Sequence, residues 1–225
     1  MGRLLNIVNQ LHRRTARDYL ARMADEKVRC SEVARRFDRD YWDGDRRFGY
    51  GGYKYDGRWS VVAQSLVDTY SLPANARILD VGCGRGFLLH EFQRLLPGCT
   101  VAGFDVSDYG LATAKEETRP HLFNHDARQP FPFTDNSFDL VISINALHNL
   151  PPEDVAKALS EMQRVARHRF LCVESFRTTE ELFNLQCWAL TCETFFRPAS
   201  WEWLFGLAGY TGDHEFIYFE PPASV

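Results

Sequence analysis

The sequence predicts an α/β protein built on a doubly wound, mostly parallel sheet with an N-terminal helical extension. Two observations carry this. From about residue 76 onward, short apolar runs alternate with stretches of helical spacing, the pattern of βαβ units. Two of those runs end in glycine or in a carboxylate, where a doubly wound sheet presents its ligand-binding edge. The chain has 225 residues, 45% of them hydrophobic, enough for one sizeable core.

In the first segment Leu4, Val8 and Leu11, then Tyr19, Leu20 and Met23, recur at helical spacing and predict one or two amphipathic helices before residue 37. The stretch Phe48–Trp59 carries four glycines and Tyr50, Tyr53 and Tyr55. Its glycines forbid a stable helix, and its tyrosines exceed what a solvated loop needs. A helix follows from about Ser60 to Tyr70, and Pro73 closes it. Strands are expected at Ala76–Val81, Thr100–Phe104, His121–His125, Phe138–Ile144, Phe170–Glu174 and Glu215–Phe219. Helices are expected at Phe87–Leu96, Tyr109–Glu117 and Glu153–Ala166, and in a long stretch from Thr179 to Leu207. Residues 1–59 thus read as a helical extension with a Gly/Tyr-rich lid and residues 60–225 as the core, within one folding unit.

Ile78-Leu79-Asp80-Val81-Gly82 reads as a buried strand that stops at glycine. Gly82, Gly84 and Gly86 then let the backbone turn and approach a ligand before the next helix opens at Phe87. Glycines at that spacing are weak evidence alone and gain force between a strand and a helix. A second strand, Val101–Phe104, ends in Asp105, placed to accept hydrogen bonds from ribose hydroxyls; a helix cap is its plainer role. Asp126 and Ala127 close the third strand, where an adenine amino group is read. Ser137–His148 is a buried strand leaving polar groups at its carboxyl end.

Taken together these pieces resemble the class I S-adenosylmethionine-dependent methyltransferases. Asp80–Gly86 is similar to the family's glycine-rich first motif, Asp105 to its ribose-binding acid, Asp126-Ala127 to its adenine contact, and Phe138–Leu150 to the strand-four motif that faces the methyl group. The likeness spans about residues 74–175. It implies a Rossmann-like methyltransferase sheet, S-adenosylmethionine as cofactor, and a cofactor site of Asp80, Gly82, Cys83, Gly84, Gly86, Asp105, Val106, Asp126, Ala127 and Asn145. It also implies strand order 3-2-1-4-5-7-6 with a final antiparallel hairpin, although one clear strand, around His214–Phe219, follows the last helix.

The implied reaction is direct displacement at the sulfonium methyl, with the protein aligning the acceptor and removing its proton. His148, just past the fourth strand, and Glu174, at the end of the fifth, are the catalytic candidates; a packing role is the alternative for His148. Tyr50, Tyr53, Tyr55 and Arg58 are read as substrate or lid residues with Gly51-Gly52 as hinge, and Arg177 as an anion contact. His121 and His125 on one strand would stand about 13 Å apart, too far to share an ion, so no metal is expected.

The acceptor is expected to be a small molecule, with an anionic one favoured by Lys54, Arg58 and Arg177. Asn145-Ala-Leu-His departs from the Asn/Asp-Pro-Pro-Tyr of enzymes that methylate amino groups of nucleic acids and proteins. Net charge of −4 leaves no electrostatic footprint for nucleic acid. Residues 1–47 nevertheless hold 12 Lys+Arg against 8 Asp+Glu, so a basic segment precedes an acidic body. The aromatic residues of Phe183–Phe205 belong to the core, a homodimer contact or a substrate wall. Six cysteines without a Cys-x-x-Cys pair point to a reducing compartment, and no apolar run reaches membrane-spanning length. The N-terminus lacks the pattern of a secretory leader, which makes the expected location cytoplasmic. Two alternatives stand beside this reading: other chemistry with the same cofactor on the same scaffold, and a non-catalytic binding module.

Overall fold

The computed structural model describes residues 2–12, 17–51 and 53–220. Five helices come first: α1 (Asn9–His12), α2 (Tyr19–Ala24), α3 (Lys27–Ala34), α4 (Arg39–Asp43) and α5 (Ser60–Tyr70). The alternating region follows as β1 (Arg77–Val81), α6 (Phe87–Leu95), β2 (Thr100–Asp105), α7 (Asp108–Ala112), β3 (Leu122–Asn124) and β4 (Phe138–Ile144). It closes with α8 (Pro152–Val165), β5 (Ala166–Glu174), α9 (Thr179–Trp188), α10 (Pro198–Leu207) and β6 (Asp213–Ile217). The strands form one sheet in the order β3-β2-β1-β4-β5-β6, and every neighbouring pair is parallel.

The sheet is apolar on both faces because successive side chains point opposite ways and helices cover each side. Ile78, Val101, Leu140, Ile142, Phe170 and Cys172 pack with α5, α6 and α9. Their neighbours Leu79, Phe104, Val141, Leu171 and Val173 pack with α8 and α10. A parallel sheet exposes the carboxyl ends of its strands along one edge, and the candidate ligand residues gather there.

Several expectations change in detail. The strand expected from Phe170 begins at Ala166, because α8 passes straight into β5. The helix expected over Tyr109–Glu117 ends at Ala112, and the strand expected over His121–His125 spans only Leu122–Asn124. The stretch from Thr179 to Leu207 splits into α9 and α10, with Pro198 at the first position of the second, where its missing N–H costs nothing. Among the described residues there is no antiparallel strand: β6 lies directly against β5. No helix among them is long and apolar enough to cross a membrane.

The outer side of β6 is covered by the beginning of the chain, with Leu4 bridged in parallel to His214. Leu5 N donates to His214 O at 2.8 Å and His214 N to Arg3 O at 3.0 Å. The fully buried Glu215 carboxylate accepts from Ile7 N, Val8 N and Asn9 N at 2.7–3.0 Å, so one side chain satisfies the amides that open α1. Glu215→Ala strands those amides and is expected to cost about 1.5–3 kcal/mol, the scale of a hydrogen bond to a charged group. Urea unfolding checks this, and an unmoved midpoint refutes it.

Candidate active site

The site begins where β1 stops. Gly82, Gly84 and Gly86 have φ of 75°, 54° and 63°, the left-handed region that side chains resist. A Cβ on Gly82 would sit 2.2 Å from that of Ala146, and one on Gly84 would sit 2.7 Å from the Trp42 ring. The turn brings Gly84 N within 2.9 Å of Asp105 Oδ2, while Ser107 N donates to Oδ1 at 2.9 Å. The half-buried Asp105 carboxyl is pushed above the usual range by desolvation. Asp80 is pushed up to about 8, first by burial and then by the field of Asp105. Asn145 follows β4 with φ of 56°, a conformation asparagine tolerates better than most residues, and its N–H is tied to Cys172 O.

These residues line a cavity of about 400 Å³ along the carboxyl edge of the sheet. Asp80, Gly82, Cys83, Gly84, Asp105, Val106, Asp126, Ala127, Asn145, His148 and Glu174 all lie in its wall. Gly86 does not; it opens α6 and packs against Thr118 and Leu122. Asp126 is held ionised by Arg128, which clasps both its oxygens.

At the β4–β5 end stand His148 and Glu174. His148 Nε2 lies 3.5 Å from Glu174 Oε2, and Glu174 N donates to His148 Nδ1 at 3.3 Å. Burial pushes the imidazole down to about 3 and the carboxyl up to about 8, so both are neutral near pH 7 and form no ion pair. Because Nδ1 accepts from a backbone amide, the ring proton belongs on Nε2, which leaves the imidazole no lone pair for a substrate proton. Glu174 Oε2 is buried without a hydrogen-bond partner. It is the group here with acceptor capacity to spare.

The extension forms the opposite wall. Trp42 lies over Gly84 and donates to Ser107 Oγ at 2.7 Å. Arg85 ties the glycine loop to it through Asp43 and Tyr53 O. Tyr50 reaches the segment after α9, where its hydroxyl accepts from Leu190 N at 2.6 Å and Thr191 N at 3.1 Å. Tyr53 and Arg58 also line the cavity, Arg58 paired with Asp56. Tyr55 lies outside it, bonded to Glu91 on α6 at 2.7 Å. Arg177 is turned away too, held by Glu181 and Glu220. Of the expected hinge, Gly52 lies outside the described residues. Sequence reasoning passed over Arg17, Tyr41 and Trp42, all in the cavity wall. Trp59, the end of the expected lid, and Trp188, from the aromatic stretch expected as core, homodimer contact or substrate wall, lie there too.

Residues 78–169 match a family model described as a methyltransferase domain. Human mitochondrial arginine-hydroxylase NDUFAF5 is 26% identical over 143 residues, 63% of this chain and 41% of that protein. Demethylmenaquinone methyltransferase of Chlorobaculum parvum is 32% identical over 116 residues, 50% of this chain and 46% of that one. The chain therefore spans less than half the length of either relative. Among solved structures, the YcgJ protein of Bacillus subtilis shares the fold with a TM-score of 0.53 at 21% identity, covering 65% of this chain and 66% of that one.

The cavity's own atoms fit S-adenosylmethionine, the methyl donor of the family that residues 78–169 match. Asp105 has accepted two amide bonds and keeps acceptor capacity for a ribose diol, since a carboxylate offers about four lone-pair sites. The left-handed glycines remove the Cβ atoms that would fill the approach to it.

Proposed function

We propose that this protein transfers the methyl group of S-adenosylmethionine to a small-molecule acceptor held at the β4–β5 end of the cavity. The observation that supports this is one continuous cavity joining Asp105 to Glu174. Asp105 holds the ribose, Asp126 and Ala127 meet the adenine, and Asp80, Asn145 and the glycine loop face the methionine portion. Bound there, the cofactor supplies an electrophilic methyl on a positive sulfur. Glu174 takes the proton of the acceptor's nucleophilic atom, and His148 is a positioning residue whose Nε2–H faces that carboxyl. Tyr50, Tyr53 and Arg58 cover the cavity and keep water from it.

A cavity of about 400 Å³ favours a small acceptor, since pockets for single ligands span roughly 300–1,000 Å³ and this one must also take the cofactor. The acidic balance favours the same and speaks against nucleic acid. Six free cysteines suit a reducing compartment such as the cytoplasm.

A second reading has one observation behind it: the human relative is named for arginine hydroxylation. The same cavity would then serve other chemistry. Incubation with methyl-tritiated S-adenosylmethionine and a small-molecule extract separates the two. Label entering the small-molecule fraction in step with S-adenosylhomocysteine is the expected result. An acceptor modified without S-adenosylhomocysteine would establish the second reading instead.

A further inference from the structure

At its β5–β6 end the cavity wall is apolar and largely aromatic. Val8, Leu11, Trp59, Ile144 and Trp188 line the cavity and belong to one apolar cluster. The fold gathers them around Glu174, which ends β5. That strand lies between β4, which ends at Ile144, and β6, which holds Val8 N through Glu215. α5 runs antiparallel to the strands, because Tyr70 at its end bonds to Arg169 O and to Asp213, where β6 begins. Trp59, at its start, therefore stands at the carboxyl edge of the sheet. Trp188 ends α9, the helix that follows β5. Side chains two apart on a strand share a face, so Glu174 lies on the side of Phe170 and Cys172 and is aimed into this cluster.

The polar neighbours are engaged with one another. The Tyr50 hydroxyl oxygen accepts from Leu190 N and Thr191 N, and Asn149 Oδ1 accepts from Thr191 Oγ1 at 2.8 Å. Arg17 donates to His12 O at 3.2 Å and lies over the Trp188 and Phe219 rings, each centroid 5.4 Å away. Glu174 Oε2, buried without a hydrogen-bond partner, is what the wall offers a ligand. Flat aromatic faces favour a flat aromatic ligand beyond the area they bury. A carboxylate seated among them would lose its hydration, whereas one hydroxyl on the ring gives Glu174 its missing partner.

We propose that this end takes an uncharged aromatic acceptor with a phenolic hydroxyl, its ring against Trp59 and Trp188 and its oxygen at Glu174. The proposal rests on the reading that the Asp105 end holds S-adenosylmethionine. Ionised Glu174 takes the hydroxyl proton, and the freed pair on the phenolic oxygen forms a C–O bond to the methyl carbon. The pair of the broken C–S bond stays on sulfur, so the products are an aryl methyl ether and S-adenosylhomocysteine. Acidities match as well. A phenol ionises at about 10, near the value of about 8 to which burial pushes Glu174. Water, the model for an aliphatic hydroxyl, ionises at about 15.7. The anionic acceptor expected from Lys54, Arg58 and Arg177 gives way to this one. Arg58 and Arg177 are paired with carboxylates of their own, and Lys54 is not in the cavity wall.

Calorimetric titration of the full chain saturated with S-adenosylhomocysteine tests this with β-naphthol, its carboxylate counterpart β-naphthoate and its saturated counterpart β-decalol. β-Naphthol is expected to bind about tenfold more tightly than β-decalol, as two aromatic faces allow, and at least as much more tightly than β-naphthoate. Trp188→Ala should remove most of the preference over β-decalol and Trp188→Phe should keep most of it, both binding S-adenosylhomocysteine as the native protein does. Tighter binding of β-naphthoate by the native protein, equal affinity for all three probes, or binding of none overturns the proposal without any variant. So does a Trp188→Ala protein that keeps the native preference or loses S-adenosylhomocysteine. Native protein that binds no S-adenosylhomocysteine overturns the cofactor reading and this one with it.

Discussion

Glu174→Gln is expected to lower kcat by about 10²- to 10⁴-fold, the usual contribution of a positioned general base. The substitution keeps shape and volume and removes only the capacity to ionise. Binding of S-adenosylhomocysteine should therefore be unchanged, which separates lost chemistry from lost structure. A base acts in its ionised form, so native turnover should climb with pH and level off above about 8. Stability runs the other way. The carboxyl binds its proton more tightly in the folded protein than in the unfolded chain, where its pKa is about 4.3. Its contribution is complete below that value and is lost as pH rises towards about 8. Urea midpoints of the native protein should fall between pH 5 and 8 more steeply than those of Glu174→Gln. A variant with native turnover would remove Glu174 from the mechanism and return attention to His148.

The parts of this site that were legible in the sequence are those set by local rules. A parallel strand buried on both faces must read as an apolar run, and Phe138–Ile144 has the same limits in sequence and structure. Left-handed turns select glycine, which exposed the loop after β1. The parts that were not legible depend on contacts distant in the chain. Trp42 matters because it covers Gly84, and no periodicity announces a pairing over such a separation. Arg17 lies in a segment whose charges look like any solvated helix face, and only tertiary packing lays it over Trp188 and Phe219. Tyr55 and Arg177 were misplaced for the complementary reason. Each has a strong partner outside the cavity, Glu91 on α6 for Tyr55 and Glu181 one helical turn on for Arg177, that holds it away.

Asp105→Ala is expected to weaken S-adenosylhomocysteine by about 1.5–3 kcal/mol, roughly 10- to 150-fold in Kd. The carboxylate has two tasks. It accepts the amides of Gly84 and Ser107, which shape the glycine loop, and its remaining lone pairs face the cavity where the ribose is assigned. Alanine abolishes both, so its loss alone does not say which mattered. Asp105→Asn separates them. The amide oxygen can keep the Gly84 bond, but the group has half the acceptor capacity and offers an N–H₂ where a hydroxyl would donate. Calorimetry should find Asn close to Ala in affinity, while thermal unfolding finds Asn nearer to native in stability. If Asn restores affinity together with stability, the carboxylate serves the loop and the ribose contact lies elsewhere. If Ala binds S-adenosylhomocysteine as tightly as the native protein, the assignment of this end of the cavity to the nucleoside is wrong.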